Sequence, residues 1–523
     1  MAMDPSERAN SARSERLLAR TPLHPVLLAA YPILFLYAAN LAEVLPVDIG
    51  QPLAWAVAAT ALLWTVASVI LRSARRAALV TSALVAAWFS YGHLAPLFRG
   101  AGLADGAQLA LWAVLIGAAA VVAVRARASM GRITEGLNIA AIVLVALTLA
   151  SIVPYELSRA ARGAQAAPPP ELELPAATRH PGRDIFYLVF DRYGSDWSID
   201  ARFGIDNSAM SEWLEGRGFN VVPGARANYR ATDFSLASTL QMRYLDELTE
   251  RYGRSTDDRT PARELLQDHV VGRFLQANGY RYVHIPSWYG PTLDNPIADE
   301  LLRWDTASEF SQVLSDSTMA PLLLNVVTEA TSEPPHRERH RAFAEYQFRQ
   351  VERAAAAPYP VFVFAHFLLP HAPYTYRADG SDMLDADERS LPEAELYAEQ
   401  LAYTNMRIRD IVGALLDRPA HEQPIIVIQA DEGPFLCFNV DCIDGSPETY
   451  GIRFGIQGAY YLPGLAADVL PPDHSAVNTF RVIFSEYFGA DLPRLPDRSF
   501  DWPDNEHLYD FRDITDQLPL PGS

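Results

Sequence analysis

The chain has no lysine; all 43 of its basic side chains are arginine. It has two cysteines, no P-loop, no GxSxG elbow and no internal repeat. The missing motifs remove the usual sequence signatures of a phosphate-cradling nucleotide enzyme and of an α/β-hydrolase. Cys437 and Cys442 have no second Cys or His pair with which to complete a zinc set. In an oxidising compartment they are expected to form a disulfide. Positive charge is also scarce in one part of the chain. Residues 1–160 hold 12 Arg and 8 acids, a net of +4, whereas the remaining 363 residues hold 31 Arg and 55 acids, a net of −24. So acidic a second part excludes nucleic acid as a partner, because binding phosphate backbones needs clustered cations. An anion site there needs a local cation of its own.

Charge is nearly absent from five stretches near residues 25–45, 52–71, 77–98, 107–124 and 137–156. Each approaches the ~20 apolar residues that cross a bilayer, so residues 1–157 are expected to form a membrane block of five spans. Arginine placement gives the expected orientation. Arg8, Arg13, Arg16 and Arg20 lie in the tail, Arg72, Arg75 and Arg76 after the second stretch, and Arg125, Arg127 and Arg132 after the fourth. The two alternate loops hold only Arg99. Positive loops stay in the cytoplasm, which places the N-terminus inside and everything after the fifth span outside. Residues 158–183 read as an Ala/Pro-rich linker.

From 184 to 523, apolar runs alternate with helical spacing. "DIFYLVFD" (184–191), "YRYVHI" (280–285), "PVFVFAHFL" (360–368), "PIIVIQAD" (424–431) and "GAYYLPG" (458–464) read as strands. Residues 207–219, 232–248, 261–279, 392–418 and 475–489 read as helices. Strands that are apolar throughout, separated by helices, indicate an α/β domain with a mostly parallel sheet covered on both faces. Ligands bind such sheets beyond the carboxyl ends of the strands. Asp191 and the adjacent Asp431 and Glu432 stand at such ends, and neighbouring buried carboxylates call for a cation.

The stretches "DIFYLVFDRYG", "NYRATDFSLASTLQMRYLDEL", "FVFAHFLLPHAPY", "IIVIQADEGP" and "VNTFRVIFSEYFGADLPRLPDRS" resemble the sulfatase-like branch of the alkaline phosphatase superfamily, which includes membrane-anchored lipoteichoic acid synthases and phosphoethanolamine transferases. The resemblance implies a metal ligand at Asp191, a nucleophile and metal ligand at Thr232, and a metal ligand at Asp431. It also implies a histidine after that aspartate, where this chain has Glu432. With Glu432 as a fourth ligand the set is all oxygen, which favours Mg²⁺, Mn²⁺ or Ca²⁺ over Zn²⁺. His371, and with it His366, are the expected acid–base or ester-contacting groups. Arg192 and Arg230 are the expected anion clamp. The function this implies is metal-assisted hydrolysis or transfer of a phosphate or sulfate ester, lipid-linked or glycan, beside the bilayer. Glu432 opens a second reading, a catalytically decayed domain that serves as an extracytoplasmic binding or interaction module.

Overall fold

The computed structural model describes residues 21–101, 103, 105–125, 130–165, 174, 177–304, 308–327, 335–357, 360–438, 441–466 and 469–519. Arg8, Arg13, Arg16, Arg20 and Arg127, and most of residues 166–176 of the linker, lie outside them. The chain forms two compact units, Met1–Gln165 with Ala307–Ser332, and Ala166–Thr306 with Glu333–Ser523.

In the first unit each apolar stretch is a helix: α1 (His24–Ala39), α2 (Pro46–Leu71), α3 (Ala74–Gly100), α4 (Asp105–Arg125) and α5 (Met130–Gln165). Three of them are long and apolar enough to cross a membrane: Pro46–Leu71, Ala74–Ala95 and Met130–Ala164. The apolar helices His24–Ala39 and Gly106–Val122 are shorter. A 16-residue helix rises only about 24 Å, less than the ~30 Å hydrocarbon core. Among the described residues, all five expected stretches are apolar helices, and three of them are long enough to cross a membrane.

Polar side chains close the ends of these helices. No side chain of its own caps α1. Instead Asn138 of α5 accepts from the Leu23 and His24 amides, both at 2.9 Å, and donates to the Thr21 carbonyl at 2.8 Å. In lipid such an amide has no water to turn to. At the opposite end of α1, the Tyr37 hydroxyl donates to Glu156 at 2.6 Å, and Glu156 pairs with Arg159 at 2.9 Å. That pairing cancels a charge which otherwise runs against the arginine asymmetry.

Residues 307–332 were expected within the α/β domain and belong to the first unit instead. Their helices Glu309–Asp316 and Ala320–Val327 carry Phe310 against Ile33, Tyr37 and Ile152, and Met319 and Leu322 against Ala87, Tyr91, Ala95 and Trp112. These partners lie toward the ends of α1, α3 and α5 and the start of α4, at the arginine-poor end of the bundle. The backbones themselves meet. The Gly92 amide donates to the Ser317 carbonyl at 3.1 Å, and the Met319 amide to the Trp88 carbonyl at 3.0 Å. A Cβ on residue 92 would stand 2.4 Å from the Ser317 carbonyl oxygen. Gly92→Leu is expected to expel this segment. Limited proteolysis of the full-length protein will then cut within 308–327, where the wild type resists.

The second unit is built on a seven-stranded sheet in the order β2 (Asn220–Val221), β7 (Gly458–Tyr461), β6 (Ile425–Gln429), β1 (Ile185–Phe190), β5 (Val361–Phe367), β3 (Arg281–Ile285), β4 (Glu300–Leu301). From β6 to β4 all pairs are parallel; β7 and β2 are antiparallel. Every residue of β1, β5 and β6 is buried, as expected of central strands covered on both faces. Register decides what meets. Val189 of β1 pairs with His366 on one side and Gln429 on the other. The carboxyl ends of β6, β1 and β5 therefore deliver Asp431, Asp191 and His366 to one place.

Two long expected helices are each divided. The 232–248 stretch breaks at Met242, at φ 54°, into Thr232–Gln241 and Asp246–Tyr252. The 261–279 stretch breaks at Asp268, and His269 restarts it by accepting the Gly272 amide at 2.9 Å. A ring acceptor caps as a hydroxyl does.

Candidate active site

Asp191 leaves β1 with its amide on the Phe367 carbonyl (2.9 Å). Arg192 follows at φ 65°, a left-handed turn that costs a non-glycine residue energy and recurs at functional sites. On the next strand, the "DEGP" turn needs its glycine. A Cβ on Gly433 would lie 2.1 Å from the Ile452 carbonyl oxygen, and the Gly433 amide bonds to the Arg453 carbonyl at 2.8 Å.

One ligand atom from each of Asp191, His366 and Asp431 lies within 4.8 Å of the others. All three side chains are buried. Asp191 Oδ1, both Asp431 oxygens and His366 Nε2 have no hydrogen-bond partner. Buried polar atoms left unpaired cost roughly 1–3 kcal/mol each, more when charged, so a cation among them removes a standing penalty. Burial pushes the Asp191 carboxyl well above the usual range, and the charges of Asp431 and Glu432 add to this against Arg192 and Arg453. Burial raises Asp431 as well. It lowers His366 to about 3, so this imidazole is neutral, the form that ligates metal. The three residues fit a divalent ion.

Thr232 is buried and opens a ten-residue helix, Thr232–Gln241, whose every residue is buried. Its hydroxyl stands close enough to Asp431 to favour the charged carboxylate, although neither Asp431 oxygen attains hydrogen-bond geometry. A helix start beneath a hydroxyl supplies free amides and a favourable dipole for an anionic oxygen.

Glu432, expected among the ligands, is held elsewhere. Its Oε1 lies 2.6 Å from Arg192 Nη2 and its Oε2 lies 2.6 Å from Arg453 Nη2. Two guanidinium groups take both oxygens because a third carboxylate beside Asp191 and Asp431 needs its charge cancelled. Arg192 also lies over the Phe435 ring, 3.2 Å from its centre. Arg453 donates to the Gly433 carbonyl at 3.0 Å and pairs with Asp441 at 2.7 Å. Cys437 and Cys442 are disulfide-bonded, and the loop they close carries Asp441. Arg230, the other expected clamp residue, pairs with Asp501 at 2.8 Å and lies over Trp502. His371 is half-buried with its ring against Phe435 at 5.5 Å, while His366, expected beside it as an acid or base, lies in the carboxylate cluster. Arg453, Asp441, Thr292 and Ser287 escape sequence reasoning. Arg453 sits in a helix with no motif around it, and its role comes only from tertiary contact.

No family model matches the chain, and no curated protein matches it. Solved structures do. The zinc complex of the C-terminal periplasmic domain of EptC from Escherichia coli is 10% identical, spans 66% of this chain and 98% of its own, and has a TM-score of 0.44. The phosphonate monoester hydrolase of Agrobacterium radiobacter is 11% identical over 60% of this chain and 75% of its own, with a TM-score of 0.36. A Vibrio parahaemolyticus protein in the alkaline phosphatase superfamily is 11% identical over 67% of this chain and 81% of its own, with a TM-score of 0.38.

Proposed function

We propose that this protein is a membrane-anchored enzyme that hydrolyses or transfers a phosphate or sulfate ester outside the cytoplasm, with Thr232 as nucleophile and one divalent cation held by Asp191, His366 and Asp431. The observation that carries the proposal is the convergence of ligand atoms from three buried residues with unpaired side-chain atoms, near a hydroxyl on the first residue of a buried helix. Charge supports it. Asp191, Asp431, Glu432 and Asp441 face Arg192 and Arg453, and the two negative charges left over equal one divalent ion. The expectation of an all-oxygen set rested on Glu432. With Glu432 on arginines and an imidazole in its place, the set suits Mn²⁺ or Zn²⁺ better than Ca²⁺ or Mg²⁺.

A bound cation would lower the pKa of the threonine hydroxyl and draw in the anionic ester. Thr232 Oγ1 forms a bond to phosphorus or sulfur, the bond to the ester oxygen breaks, and the hydroxyl proton ends on the departing alcohol. His371, half-buried against Phe435, is the group proposed to carry that proton. Water or an acceptor hydroxyl then takes the phosphoryl or sulfuryl group and returns a proton to Thr232. The bilayer is the proposed partner of the helical unit. A lipid-linked or glycan ester is the proposed substrate. The proposed orientation, with the N-terminus in the cytoplasm, rests on the arginine asymmetry, and a disulfide suits an external α/β domain.

One observation favours the second reading, a binding module without turnover. Arg192, Arg230 and Arg453 all pair with protein carboxylates. Turnover separates the two. Full-length protein in detergent, given aryl phosphate and aryl sulfate esters with Mn²⁺ or Zn²⁺, is expected to release the phenol, to stop when a chelator is added and to restart with excess metal. No release with any metal would favour the binding module.

A further inference from the structure

The arrangement behind His366 goes one layer beyond the ligands. Its Nδ1 lies 2.9 Å from Thr292 Oγ1 and 3.3 Å from Ser287 Oγ, and the two hydroxyls are 2.7 Å apart. Both side chains are buried in the segment after β3, Thr292 within the short helix Gly290–Leu293. That segment is fixed from the sheet, because His284 Nε2 lies 2.8 Å from the Thr292 carbonyl. A carbonyl only accepts, so the His284 proton is on Nε2. The Tyr289 amide donates to Ser287 Oγ at 3.1 Å, and the Thr292 hydroxyl faces the Tyr289 carbonyl at 3.4 Å. These partners give each hydroxyl proton an acceptor other than His366. With the Thr292 proton directed at Ser287 or at the carbonyl, its oxygen is free to accept a hydrogen bond from His366 Nδ1–H. Nε2 is then a bare lone pair, and Nε2 is the ring nitrogen that has no partner.

We infer that Thr292, supported by Ser287, is a positioning residue for the cation: it holds His366 in the Nδ1–H tautomer and aims Nε2 between Asp191 and Asp431. This rests on the proposed metal centre. Outer partners of this kind set ring orientation and ligand basicity, and their loss costs roughly 10–100-fold in metal affinity. His284 extends the chain one step further, holding the main chain that carries the threonine.

Metal-free full-length protein in detergent, titrated with Mn²⁺ and with Zn²⁺ by calorimetry, tests this without reference to turnover. Thr292→Val, which keeps the shape and removes the hydroxyl, is expected to weaken binding by roughly 10–100-fold. Thr292→Ser is expected to bind within about threefold of wild type, and Ser287→Ala to weaken binding by several-fold. If Thr292→Val and Ser287→Ala both bind as wild type while Asp191→Asn does not bind, the inference fails and the metal centre stands. If Thr292→Ser is as weak as Thr292→Val, the site needs the original shape and not the hydroxyl, which also overturns it. If Thr292→Val does not fold, Ser287→Ala decides, and unchanged affinity there counts against the inference. A wild type that binds neither metal removes the centre, and this inference with it.

Discussion

Thr232→Ala is expected to reduce ester turnover by on the order of 10³-fold or more, while the protein still binds its cation. The proposed nucleophile leaves, yet the three buried residues proposed as ligands, Asp191, His366 and Asp431, remain. Losing the hydroxyl as a fourth donor weakens binding only several-fold. Two measurements taken together make this specific. Intact-mass analysis of wild type quenched during turnover will find a phosphoryl or sulfuryl adduct on Thr232, and Thr232→Ala will carry none. Thr232→Ser, with its hydroxyl in nearly the same place, will recover much of the rate. Turnover that persists unchanged in Thr232→Ala would remove the nucleophile from the scheme. Ser235 Oγ, three residues along the same helix and without a partner, would then be the next candidate.

Glu432→Ala carries the second large effect, on stability. Glu432 bridges Arg192 and Arg453 at 2.6 Å to each, and all three side chains are at least 92% buried. Removing one member of a buried charge pair leaves the other uncompensated and costs about 3–5 kcal/mol. Here two guanidinium groups lose a partner, although Arg453 keeps Asp441 and Arg192 keeps its contact with the Phe435 ring. Urea unfolding of the full-length protein in detergent will report a fall within that range. Glu432→Gln, which keeps the shape and loses the charge, will fall less. Glu432→His installs the residue the family pattern calls for. It is expected to destabilise the domain without raising turnover, because an imidazole cannot neutralise two arginines. A rise in activity in Glu432→His would mean that Glu432 occupies a ligand position after all.

The parallel sheet was legible because its central strands are continuous apolar runs, and such runs have few alternatives once helices separate them. The place of Asp191 and Asp431 just beyond buried strand ends was legible for a related reason, since each acid closes a continuous apolar run. His366 was harder. Its neighbours "FVFAHF" mark it as a core residue, and only the pairing of Val189 with His366 shows that it lies level with the aspartates. Glu432 was misplaced because its partner Arg453 is 21 residues away in a helix with no distinguishing pattern. The helical insertion at 308–327 was invisible as a membrane-unit element. Its apolar helix Ala320–Val327 is eight residues long, too short to be read as a span, and a glycine's close approach at Gly92 leaves no mark on hydropathy.

Two aspartates and a histidine from three neighbouring strand ends are proposed to hold one ion. Metal analysis of the full-length protein, wild type beside Asp431→Asn, tests it most directly. One Mn²⁺ or Zn²⁺ per chain is expected in the wild type and none in the variant. A wild type with no transition metal after incubation with both ions, or an Asp431→Asn variant that keeps its metal, would contradict it.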